Sequence, residues 1–128
     1  MTQEDKDLLL KDLVGRLSYG VKVQMLIWDY NDKMTTEEDA TLYSVNMYGY
    51  CETVEYDAKI SVEEITPYLF PLDKISGDMW SEYLATCVGG NASFPTLKSF
   101  EWCNENHIDF RGLIPKGLAL DATNLNIY

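Results

Sequence analysis

The chain's single histidine, His107, follows Cys103 by four residues, and Asp109 follows the histidine by two. A thiol nucleophile, an imidazole base and a carboxylate to orient the base are the parts of a small hydrolase or transferase. That chemistry requires the three groups to meet in space. The simpler reading asks for less: Cys103 packs in the core, His107 caps the C-terminal end of a helix, and Asp109 pairs with Arg111 across Phe110 in an extended segment.

The second set of chemically capable residues is acidic. Between Asp29 and Glu64 ten carboxylates stand against two lysines, Lys33 and Lys59, so this stretch holds −8 of a total formal charge of −11. Carboxylates placed together bind cations, move protons or present a negative surface to a basic partner. None of these follows the Asp-x-Asp-x-Asp-Gly spacing of a calcium loop. Four of them, Glu37, Glu38, Glu52 and Glu55, lie near Tyr48 and Tyr50, with Trp28, Tyr30, Tyr43 and Tyr56 close by in sequence. Aromatic side chains often anchor protein interfaces. The expected binding surface is therefore Glu37, Glu38, Glu52, Glu55, Tyr48 and Tyr50, and the expected partner is another protein, a basic one if charge decides. The competing reading is a solvated acidic face that serves solubility.

Further signatures are missing. The chain carries no Walker loop, dinucleotide glycine fingerprint, HExxH, serine elbow or EF-hand pattern. Structural zinc needs four closely placed Cys or His ligands, and here such residues total four, with no CxxC or HxxxH pair. No metal and no cofactor are expected, and a non-enzymatic interaction or regulatory module is the favoured reading. Beside the Cys103/His107 enzyme stands a further alternative, a small-ligand pocket between sheet and helices lined by Trp80, Tyr83 and Trp102.

These residues must be positioned by elements legible in the pattern. Thr2 before Gln3-Glu4-Asp5 reads as a helix cap, and Leu9, Leu13 and Leu17, with Leu10 and Val14 beside them, form an apolar stripe to about Leu17. Lys6, Asp7, Lys11 and Asp12 are expected to face water. After a turn at Gly20, Val21, Val23, Met25 and Ile27 alternate as a strand. The polar run Asn31 to Asp39 reads as an exposed loop or long hairpin connection. Thr41 to Tyr56 reads as two strands joined at Gly49, or one strand bent at a bulge. Ile60 to Leu72, punctuated by Pro67 and Pro71, reads as a short strand or turn and then an extended connector. A second helix is expected from Asp73 or Ser76 to about Val88. A third follows, capped by Ser93 with Pro95 in its first turn, and stops near Asn106. The remainder, His107 to Tyr128, reads as ordered coil or a short terminal strand. The fold class is α+β: a small antiparallel sheet that could close toward a barrel, an N-terminal helix, and two helices in the C-terminal half.

Length and composition agree with one domain over residues 1–128. A chain of this size buries roughly two-thirds of its unfolded surface, and 46% hydrophobic content supplies the core. No apolar run approaches the ~20 residues of a membrane span, and the acidic N-terminus is unlike a secretory signal, so a cytoplasmic location is expected. The three cysteines, Cys51, Cys87 and Cys103, are expected to be free and mostly buried. The net negative charge repels phosphate backbones and argues against direct nucleic-acid binding.

The ending Asn106-His107-Ile108-Asp109-Phe110-Arg111-Gly112-Leu113-Ile114-Pro115-Lys116-Gly117-Leu118-Ala119-Leu120-Asp121-Ala122, with Pro67-Tyr68-Leu69-Phe70-Pro71 and the opening Lys6 to Leu13, resembles a family of uncharacterised small acidic proteins of gut bacteria and of their phages and mobile elements. The likeness spans both ends and the middle proline segment, while Asn31 to Tyr56 and Gly77 to Ser99 fall outside it. The resemblance implies a phage or mobile-element context, in which small acidic proteins serve as inhibitors or adaptors that bind a host protein, and it implies no activity.

Overall fold

Thr2 holds an extended backbone, and its hydroxyl accepts from the Asp5 N–H at 3.1 Å, which satisfies one of the free amides of the first turn. Helix α1 then runs Gln3–Arg16 and closes through a single tighter turn into Gly20. The computed structural model describes all 128 residues. Leu9 and Leu13 are fully buried. So are Asp12 and Arg16, whereas Val14 is exposed, which corrects two placements expected from the apolar stripe. Leu9, Asp12, Leu13 and Arg16 follow the i, i+3, i+4, i+7 spacing of one helix face. The buried face of α1 is thus half apolar and half ionic.

Strand β1 (Lys22–Asp29) pairs antiparallel with β2 (Met34–Val45) from Lys22↔Thr41 to Asp29↔Met34. The expected loop over Asn31 to Asp39 is therefore mostly strand, and the connection shrinks to Tyr30–Lys33. At this end the hairpin projects past the core, so water bathes both faces and no apolar alternation is needed to hold the ladder. A bulge at Tyr43 and a turn at Asn46–Gly49 lead into β3 (Tyr50–Thr53), which pairs with β4 (Ile60–Ser61). Gly49 takes φ +84° there, as the expected turn requires. Strand β5 (Ile65–Pro71) pairs antiparallel with β1 only up to Pro67 and continues parallel to β6 (Ile108–Asp109) and β7 (Leu120–Asp121). The proline segment is thus an inner strand rather than a connector. The ring of Pro67, which offers no ladder N–H, sits where one pairing partner gives way to the next.

The seven strands form one open sheet in the order β4-β3-β2-β1-β5-β6, with β7 also on β5; it does not close into a barrel. Helices α2 (Gly77–Ala85) and α3 (Leu97–Glu105) complete the α+β fold. Helix α2 stops short of Val88, and the Thr86 hydroxyl donates to Tyr83 O at its end. Helix α3 begins after Pro95, not around it. The buried Ser99 hydroxyl accepts from the Thr96 N–H at 2.9 Å, so Thr96, not Ser93, is the capping residue.

The main core lies between α1 and one face of the sheet and is closed by Leu113, Leu118 and Ala119 of the C-terminal segment. A smaller cluster of Tyr83, Cys87, Cys103 and Ile108 joins α2 and α3 to β6.

Candidate functional site

Helix α3 turns Cys103 into the smaller cluster, where it is fully buried and burial pushes its thiol up to about 12. His107 follows the end of α3 with φ +60°, an uncommon conformation for a residue with a side chain. Its carbonyl accepts from the Phe70 N–H at 2.8 Å, and its ring stacks on Tyr128 with centroids 3.7 Å apart and planes within 9°. Burial, with the Arg16 guanidinium nearby, pushes the imidazole down to about 4, and its Nδ1 is buried without a partner. A neutral imidazole is no charged cap for a helix. The end of α3 is served by Asn106, whose Nδ2 donates to Trp102 O at 2.9 Å.

No hydrogen bond joins Cys103, His107 and Asp109 to one another. The Asp109 carboxylate accepts instead from the N–H groups of Arg111, Leu113 and Ile114 at 2.9–3.2 Å and so shapes the turn that Gly112 enters with φ +74°. The Arg111 guanidinium, expected to pair with Asp109, reaches across to Asp12 Oδ1 at 3.2 Å and lies over the Phe110 ring. Asp12 also takes Arg16 in a two-pronged contact at 2.7 and 3.1 Å, and Arg16 donates further to the carbonyls of Cys103 and Ile108. The segment His107 to Ala122 is therefore tied to α1 through buried charge. Composition and motif alone do not mark Arg16 as a buried residue. The i, i+4 spacing of Asp12 and Arg16 within the apolar stripe was the available signal.

The acidic residues divide between surfaces. Strand alternation puts Val23, Ala40, Leu42 and Cys51 toward the core, so Leu26, Trp28, Glu37, Asp39, Glu52 and Tyr50 share the outer face, with Tyr43 at its bulge. Glu38 is adjacent to Glu37 and so faces the other way, where it accepts from the Tyr56 hydroxyl. Glu55 lies beyond β3 and accepts from the Thr41 N–H at 2.7 Å, which holds its carboxyl below the usual range. Tyr48 sits at the tip of the β2–β3 turn. Of the six expected binding residues, the outer face thus gathers Glu37, Glu52 and Tyr50, while Glu38, Glu55 and Tyr48 lie elsewhere. It also carries apolar surface: Leu26, Trp28 and Tyr43 are 39%, 48% and 52% exposed. Several of its acids are held in place. Glu52 accepts from Tyr43 at 3.0 Å and from Ser44 at 3.1 Å, and Asp39 accepts from the Tyr68 hydroxyl.

A cleft of about 500 Å³ opens between the Leu72–Lys74 turn, α2 and the turn at Gly112–Pro115. Of the three residues expected to line a pocket between sheet and helices, Trp80 and Tyr83 border this cleft, while Trp102 packs against Tyr83 at 5.7 Å and does not reach it. No three His, Cys, Asp or Glu side chains come together in a way that could hold a metal ion. No helix is long and apolar enough to cross a membrane. Compared with protein-family models, curated proteins and solved structures, the chain matches none.

Proposed function

We propose that the chain is a non-enzymatic interaction module that docks a basic protein on the outer face of β1–β3. One observation carries this reading: Leu26 and Trp28 stand exposed at one end of a single sheet face and Tyr43 toward its other end, with Glu37 and Asp39 between them and Glu52 beside Tyr43. Exposed apolar groups rimmed by polar residues on one sheet face mark contact surfaces. Carboxylates around them favour a partner bearing Lys or Arg, speed its approach and disfavour nucleic acid. Tyr43 and Glu52 are already joined, so part of the ordering cost of binding is met before a partner arrives. We place the protein with the small acidic proteins of gut bacteria and their phages and mobile elements that its C-terminal segment resembles, and in the cytoplasm. The free, buried thiols Cys51, Cys87 and Cys103 support an intracellular setting.

Affinity capture from a bacterial lysate tests the reading, with wild type, Trp28→Ala and Glu37→Gln/Glu52→Gln as parallel baits at low and moderate salt. A basic protein recovered by wild type, depleted by both variants and lost as salt rises is the expected result. Equal recovery by all three baits, or no enrichment by any, would refute it.

A further inference from the structure

The cleft beside α2 is distant in role from the acidic sheet face, and its lining is specific enough to name a ligand class. Its volume of about 500 Å³ falls within the roughly 300–1,000 Å³ of small-molecule sites. Leu72, Trp80, Ile114 and Pro115 supply apolar wall. Trp80 packs against Tyr83, the rings 5.7 Å apart, and Tyr83 in turn against Trp102, so the aromatic side of the cleft is held by ring packing.

The charges at the cleft are three carboxylates, Asp73, Asp109 and Asp121, against one cation, Lys74. Lys74 is paired with Asp121 at 3.3 Å, which offsets its charge and uses one of its three N–H donors. Asp109 is buried, and its carboxylate consumes the N–H groups of Arg111, Leu113 and Ile114 that would otherwise greet an anion at this turn. Asp73 is exposed at the rim, and no side chain forms an ion pair with it. The site therefore offers no free donor cluster to a phosphate or carboxylate. It offers an organic cation an apolar wall that includes the Trp80 indole and, at the rim, a free carboxylate, within a chain of net charge −11.

We propose that this cleft binds a small organic ammonium ion, with its apolar body against Trp80 and Ile114 and its charged nitrogen toward Asp73. The ligand is an amine of modest size rather than a nucleotide, a sugar phosphate or a fatty acid.

Nuclear magnetic resonance on the full chain tests this, with phenethylamine as probe and hydrocinnamate as its anionic counterpart of similar size. The indole N–H signal of Trp80 is assigned by its loss in Trp80→Phe. The expected result is a saturable shift of that signal and of Ile114 with the amine, in the millimolar range or below, and none with the carboxylate. Asp73→Asn should weaken amine binding about fivefold. Trp80→Ala should weaken it by a similar factor, as read at Ile114. Unchanged shifts elsewhere in the spectrum confirm that each variant is folded. Equal binding of amine and carboxylate, amine shifts that cluster away from the cleft, or no saturation would overturn the proposal. None of these outcomes bears on the sheet-face reading, which is tested on different residues.

Discussion

Asp12→Asn removes one negative charge from the fully buried junction of α1, α3 and the C-terminal segment while keeping the side chain's shape. In wild type the carboxylate faces two guanidinium groups, Arg16 at 2.7 Å and Arg111 at 3.2 Å. After the substitution Arg16 stays fully buried with its positive charge facing neutral acceptors alone, the carbonyls of Cys103 and Ile108 among them. Removing one partner of a buried pair costs about 3–5 kcal/mol. The neutral amide can still accept one hydrogen bond, which argues for the lower end, about 3 kcal/mol. A domain of this length has a total stability of roughly 6–19 kcal/mol, so the variant should fold. With a urea slope of about 2 kcal/mol per molar, the unfolding midpoint should fall by about 1.5 M with the slope unchanged. Asp7→Asn, an exposed change on the same helix, should move it little. Asp12→Leu combined with Arg16→Met should cost less than Asp12→Leu alone, because a buried pair can often be replaced by apolar groups more cheaply than it can be broken. Circular dichroism during urea titration measures all four variants. A midpoint shift below about 0.5 M for Asp12→Asn, or a double variant no better than the single, would refute the argument that uncompensated Arg16 charge dominates the cost.

Other expectations follow from the same geometry. His107 has a folded-state pKa near 4, below its ordinary 6.5, so the unfolded chain takes up this proton first as pH falls. Its contribution to stability is whole above about 6.5 and is lost between there and about 4. Titration of the imidazole ring by nuclear magnetic resonance should give a value near 4, and His107→Asn, which suits the positive φ, should flatten the fall of stability over that pH window. All three cysteines are buried, and Cys51 and Cys103 are pushed up to about 11 and about 12, so a thiol reagent at neutral pH should react only after denaturation; rapid labelling of Cys103 in the native protein would reopen a nucleophilic role. Asp109→Ala leaves three turn amides without their acceptor and should cost about 2–4 kcal/mol in the same urea assay, more than Asp121→Ala near the surface, whose carboxylate holds one backbone N–H.

What the sequence determined by itself is local. The Thr2 cap, the α1 stripe through Leu9 and Leu13, the alternation of β1, the Gly49 turn and the stop of α3 at Asn106 all arise from neighbours within a few residues, where capping, periodicity and turn chemistry act. The α+β class follows from those elements. The tertiary structure decided everything that depended on partners far along the chain. The run at Asn31–Asp39 becomes strand only because β1 lies beside it and supplies a ladder. Pro67 enters an inner strand because two different neighbours share β5. Asp12 reads as solvent-facing, and Arg16 is not marked as buried by composition or motif, until Arg111 and the carbonyls beyond α3 fold over them. The same holds for the candidate sites. Alternation along β1 and β2 separates Glu37 from Glu38, although they are adjacent in sequence. The amine cleft exists only where the Leu72–Lys74 turn, α2 and the Gly112–Pro115 turn meet, and no local pattern encodes that meeting.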